Sequence, residues 1–100
     1  MTKERVFLVE CELSGESKPL RKEGYAGAFV VCVVKTVSVR TALDKAEAML
    51  TEDGYRVLDV SKLMRFDPGE WANAPDVCAL AAEVEASGES AYSDFEVWGH

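Results

Sequence analysis

Beyond Arg65 the chain contains no lysine or arginine, although residues 3–65 hold all 11 of its basic side chains. Eight acids follow instead: Asp67, Glu70, Asp76, Glu83, Glu85, Glu89, Asp94 and Glu96. The whole excess of negative charge, −7 over 100 residues, therefore falls in the C-terminal third. Phosphate neutralisation needs clustered Lys and Arg, and so does attraction to an anionic bilayer. No nucleic-acid partner and no membrane partner are expected.

Histidine is almost missing, with His100 as its one occurrence. This leaves little room for a His-based catalytic triad. Three cysteines, Cys11, Cys32 and Cys78, form no C-x-x-C pair and have no metal-ligand spacing, so no metal site is expected. An odd number of cysteines without a secretory pattern also argues against a disulfide framework. Each stands among apolar neighbours, where a buried, inert thiol is expected. The phosphate-loop, dinucleotide and zinc-protease motifs are all absent, and no cofactor is expected. Long apolar runs are lacking too. The longest, residues 26–34, is broken by Gly27 and is far short of the ~18 residues of a membrane span. Residues 1–5, MTKER, precede only four apolar residues, unlike a secretory leader. A cytoplasmic location is the expectation.

The hydrophobic content of 48% suits a single domain over residues 1–100, with a thin core because so short a chain buries a modest share of its surface. Residues 5–13, RVFLVECEL, alternate as a strand. Phe7, Val9, Cys11 and Leu13 share one face; Val6, Leu8, Glu10 and Glu12 share another that begins apolar and turns acidic. Residues 14–27 hold three glycines, a proline and three basic residues, predicting a long connection with at most one helical turn. Residues 28–37, AFVVCVVKTV, are nearly continuous in apolar and β-branched residues, the pattern of a central strand covered on both faces. Ser38 then caps a helix over 39–53, with Val39, Ala42, Leu43, Ala46, Met49 and Leu50 as its apolar stripe. A third strand is predicted over 55–66, a second helix from Pro75 to Gly88, and a final strand over 91–98.

The element order ββαβαβ predicts an α+β, two-layer sandwich: a sheet of about four strands with two helices on one face. In general plan this resembles the ferredoxin-like sandwich. It departs from that fold's usual order, because the first connection is too rich in glycine and charge for a full helix.

Two stretches are candidate binding sites. In RFDPGEWANAPD, residues 65–76, Trp71 is accompanied by Asp67, Glu70 and Asp76. An aromatic anchor ringed by acids is a pattern of binding hot spots. The same residues also suit a plain D-P-G turn with Trp71 tucked onto the core. In the final strand, alternation puts Tyr92, Asp94, Glu96 and Trp98 on one face. Aromatics interleaved with carboxylates are suited to gripping Arg or Lys. Glu10 and Glu12 join them if the first and last strands lie close. The reading is a non-enzymatic acidic protein that binds a basic protein, in the manner of an inhibitor or immunity protein, or binds a second copy of itself as a homodimer. Two alternatives remain at this level: a homo-oligomeric domain holding a small ligand, and an enzyme working through the carboxylates of the 67–76 loop.

Overall fold

The computed structural model describes residues 3–93 and 95–98. The chain runs β1 (Arg5–Ser14), α1 (Lys18–Glu23), β2 (Gly27–Thr36), α2 (Val39–Glu52), β3 (Val57–Arg65), α3 (Pro75–Ser87), β4 (Ala91–Tyr92) and β5 (Glu96–Trp98). The five strands form one sheet in the order β3-β1-β2-β4, with β5 also paired to β2, and every pairing is antiparallel. β3 thus runs parallel to β2 with β1 between them. The connecting helix α2 spans all three strands.

The alternation along β1 determines where the helices go. Phe7, Val9, Cys11 and Leu13 enter one buried cluster, which also holds Val30, Cys32 and Val34 of β2, Leu20 of α1, and Ala42, Ala46 and Leu50 of α2. Val6 and Leu8 point the other way, into a second cluster with Val33, Val77, Ala81 and Val84. Register confirms the division, since Val9 lies opposite Cys32 and Leu8 opposite Val33. The two long helices therefore sit on opposite faces of the sheet, not on one face as the two-layer plan expected. The physical reason lies in the sequence: β1 and β2 are apolar on both faces at the Val6 end, and each apolar face needs its own cover.

The order ββαβαβ is also amended at two points. The first connection contains a short helix, α1, anchored by buried Leu20 and ended by Gly24 in the left-handed region. The last strand is divided into β4 and β5. Elsewhere the local signals act as read. Ser38 Oγ accepts the Thr41 N–H at 3.2 Å, and Pro75 opens α3 with Asp76 in its first turn. Cys11 and Cys32 are fully buried, whereas Cys78, on α3, is only half-buried and departs from the expected buried thiol. β3 forms the far edge, and two register shifts against β1, at Glu10/Cys11 and Glu12/Leu13, bend it, a common protection for an exposed edge.

β2 is not covered throughout on both faces. α3 lies over the half of this sheet face that carries Val33 of β2 beside Val6 and Leu8 of β1. There Lys35 of β2 holds the helix, its Nζ donating to the Glu85 carbonyl at 2.8 Å and lying 3.5 Å from Glu85 Oε1. Towards the other end of the strand the cover stops, and Phe29 is 36% exposed.

Candidate functional site

The half-face that α3 leaves open is built from four strands. Its middle row reads Asp59 of β3, Glu12 of β1, Phe29 of β2 and Glu96 of β5, each directly opposite the next. Beside it lie Lys62, Glu10 and Val31, the last at the boundary, half-buried against the α3 cluster. On the other side Trp98 stands opposite Gly27. The Trp98 ring lies directly over Gly27, in the space that a Cβ would fill. It tilts against Phe29, with ring centroids 5.0 Å apart at 45°. Glu10, Phe29, Val31, Ser93 and Glu96 line a shallow groove of about 310 Å³. Four carboxylates thus surround exposed Phe29 and half-buried Trp98, with Lys62 as the one cation in these rows.

Gly27 is required by this arrangement. Gly27→Ala will push the indole off the strand and destabilise the fold by about 1–2 kcal/mol. In a Trp71→Phe background, Trp98 is the sole tryptophan, and its emission will shift towards that of a solvated indole. Unchanged emission would show that the ring does not rest on the glycine.

The residues singled out in the sequence do not all meet here. Glu96 and Trp98 belong to the face, but Tyr92 does not. Tyr92 pairs with Cys32, and Glu96 with Phe29. Two residues separate Phe29 from Cys32, whereas three separate Tyr92 from Glu96. The extra residue reverses the alternation, so strict period-two reading across 91–98 fails. Asp94 lies outside the described residues. Tyr92 instead packs on the α2 side with Tyr55 and Phe95, stacked on Phe95 at 5.5 Å.

The Tyr92 hydroxyl donates to Asp53 Oδ2 at 2.5 Å. Donation to this carboxylate, helped by burial, pushes the phenol up to about 12. An ordinary tyrosine titrates near 10. The bond's contribution to stability is therefore complete below about pH 10 and is lost as pH rises towards 12. Melting temperatures from pH 9 to 12 will fall more steeply for the native chain than for Tyr92→Phe. Parallel curves would remove Asp53 as the cause.

Asp67, Glu70 and Trp71 lie elsewhere again. Phe66 N–H bonds to Val6 O at 2.8 Å, which fixes the 67–74 loop near the Val6 end of the sheet. Val6 is six residues along β1 from Glu12, about 20 Å at strand spacing. Asp67 Oδ1 accepts the Gly69 N–H at 2.9 Å, and its carbonyl accepts the Glu70 and Trp71 N–H groups. Trp71 is half-buried against the α3 cluster, and its carbonyl accepts the Cys78 thiol at 3.1 Å. The loop is a self-bonded turn leading into α3, with Asp67 and Glu70 exposed.

Among the described residues no group of three or more His, Cys, Asp or Glu converges as metal ligands, and no helix is long and apolar enough to cross a membrane. Comparisons with protein-family models, curated proteins and solved structures give no significant match.

Proposed function

We propose that the protein is a non-enzymatic binding protein that captures a basic protein through the open half of its sheet. One observation carries this reading: exposed Phe29, with half-buried Trp98 packed against it, sits among Glu10, Glu12, Asp59 and Glu96. A few residues dominate the binding energy of an interface, and Trp, Tyr and Arg are enriched among them. Arg stacks on aromatic rings and pairs with carboxylates, so one Arg-bearing surface satisfies both kinds of group. The uneven charge of the chain adds long-range attraction for a cationic partner. An inhibitor or immunity-type role towards a basic protein is the case that this chemistry suits, and the three free thiols suit a reducing, cytoplasmic setting. Self-association through the same face is disfavoured, because a two-fold axis would bring one set of carboxylates against another.

The test is affinity capture with the native chain and with a Glu12→Lys/Glu96→Lys variant, at about 50 and 500 mM salt. The native chain will retain a basic protein at low salt, release much of it at high salt, and lose it on charge reversal. Equal retention by both chains would refute the proposed face.

A further inference from the structure

We infer that the element received by the open half-face is a short basic amphipathic helix of the partner, lying across the strands in the layer that α3 occupies over the other half. This rests on the proposed docking function and specifies the chemistry of its occupant.

Size is the first argument. The uncovered patch spans about five residues along the strands and four strands across. At ~3.3 Å per residue and ~4.8 Å per strand this is roughly 16 by 19 Å, on the order of 300 Å². A stable contact between two rigid domains needs about 800 Å² from each partner. The patch is too small for that, or for a symmetric dimer. It does accommodate one helix ~10 Å wide, whose span of ~19 Å across the four strands is about three and a half turns.

Backbone chemistry is the second argument. An extended peptide binds a sheet by adding to an edge, where N–H and C=O groups are free. β1 and the Phe29 end of β2 have no free edge, because β3 and β5 flank them on either side. A strand laid on the face would bury its own peptide groups against Phe29, Val31 and Trp98 without partners, which is unfavourable. A helix satisfies its backbone internally and presents only side chains.

The charges then give the register. Along the row Asp59, Glu12, Phe29, Glu96, the midpoint of the first two acids lies about 7 Å from Phe29, and Glu96 about 5 Å beyond it. At ~1.5 Å per helical residue, the helix carries a basic residue at i, an apolar one at about i+4 to i+5 over Phe29, and a basic one near i+8; positions i, i+4 and i+8 meet this spacing. These three positions lie on one helical face.

The test uses two synthetic 14-residue peptides of identical composition, built from Leu, Arg, Ala and Gln. One places Arg and Leu at the i, i+4, i+8 spacing, and the other alternates them with a strand period. Each is titrated into the isotope-labelled full chain and followed by NMR. The helical peptide is expected to bind at least tenfold more tightly. Its shifts should centre on Glu12, Phe29, Val31, Glu96 and the Trp98 indole N–H, and its circular dichroism should gain helix on binding. Equal or tighter binding by the alternating peptide overturns the inference, as does mapping of the helical peptide to another surface. If neither peptide binds while charge-sensitive capture of a basic protein persists, the helix is refuted and the docking face stands. If that capture fails as well, both readings fall.

Discussion

Leu50→Ala will destabilise the protein by about 3 kcal/mol, lowering the melting temperature by roughly 15 °C. Leu50 is fully buried in the last full turn of α2, in the cluster that joins that helix to Val9, Leu13 and Val30. Truncation removes three carbons from a close-packed site and leaves a cavity that the rigid sheet cannot fill. Leu58→Ala is the control. Leu58 is 55% exposed on the bent edge strand, and its loss will change stability by less than about 0.5 kcal/mol. Val84→Ala, in the α3 cluster, will cost about 2 kcal/mol. The double variant then tests the architecture. With α2 and α3 on opposite faces, the Leu50 and Val84 side chains share no partners, and the two losses in urea unfolding will add to within about 0.5 kcal/mol. Coupling well above that would mean that the helices share one face and one core.

The opposite placement of the helices was present in the sequence, though it was easily misread. Residues 5–9, RVFLV, are apolar at both parities, and so are residues 30–34 of β2. Such runs demand cover on both faces. A two-layer sandwich gives it to one face only. Long elements with strong periodicity or caps were legible: β1, α2 with Ser38, and α3 between Pro75 and Gly88. The split of the last strand was not. The alternation of residues 91–98 is the same with or without an extra residue opposite β2, and only the pairing partner fixes which side chains share a face. Half of the candidate site was therefore visible. Glu96 and Trp98 carried the aromatic and acid signal, and Glu10 and Glu12 stood out as a strand face turning acidic. Phe29, Val31, Asp59 and Lys62 were hidden, because their membership depends on strand order and register. A clue remained in Phe29. It is the bulkiest residue of β2, placed two residues after a glycine on the same face, and a glycine inside a strand often marks a close approach by another group. Here that group is Trp98.

Glu12→Lys will abolish capture of the basic partner and at the same time stabilise the free protein. Glu12 lies directly opposite Asp59 on β3, on a face where Glu96 flanks Phe29 from the other side. Like charges directly opposite one another in a sheet are unfavourable, and opposite charges are favourable, by about 0.2–1 kcal/mol each. A lysine at this position turns the repulsion with Asp59 into attraction, and it gains a carboxylate partner in a half-open site. The expected gain is about 1 kcal/mol, or roughly 4–8 °C in melting temperature at low salt, shrinking as salt screens the pair. Binding moves the other way. A cation placed beside Phe29 opposes the Arg-bearing surface at the centre of the contact, and affinity should fall by at least 100-fold, since like-charge juxtaposition in an interface amounts to several kcal/mol. Glu12→Gln separates the two effects, because it removes the repulsion without adding a cation. It will gain about half of the stability and lose about tenfold in affinity. Opposed changes in stability and binding are the signature of a residue kept for recognition at the fold's expense. If Glu12→Lys instead lowers the melting temperature and leaves capture intact, the carboxylates of this face serve the fold, and the docking surface lies elsewhere.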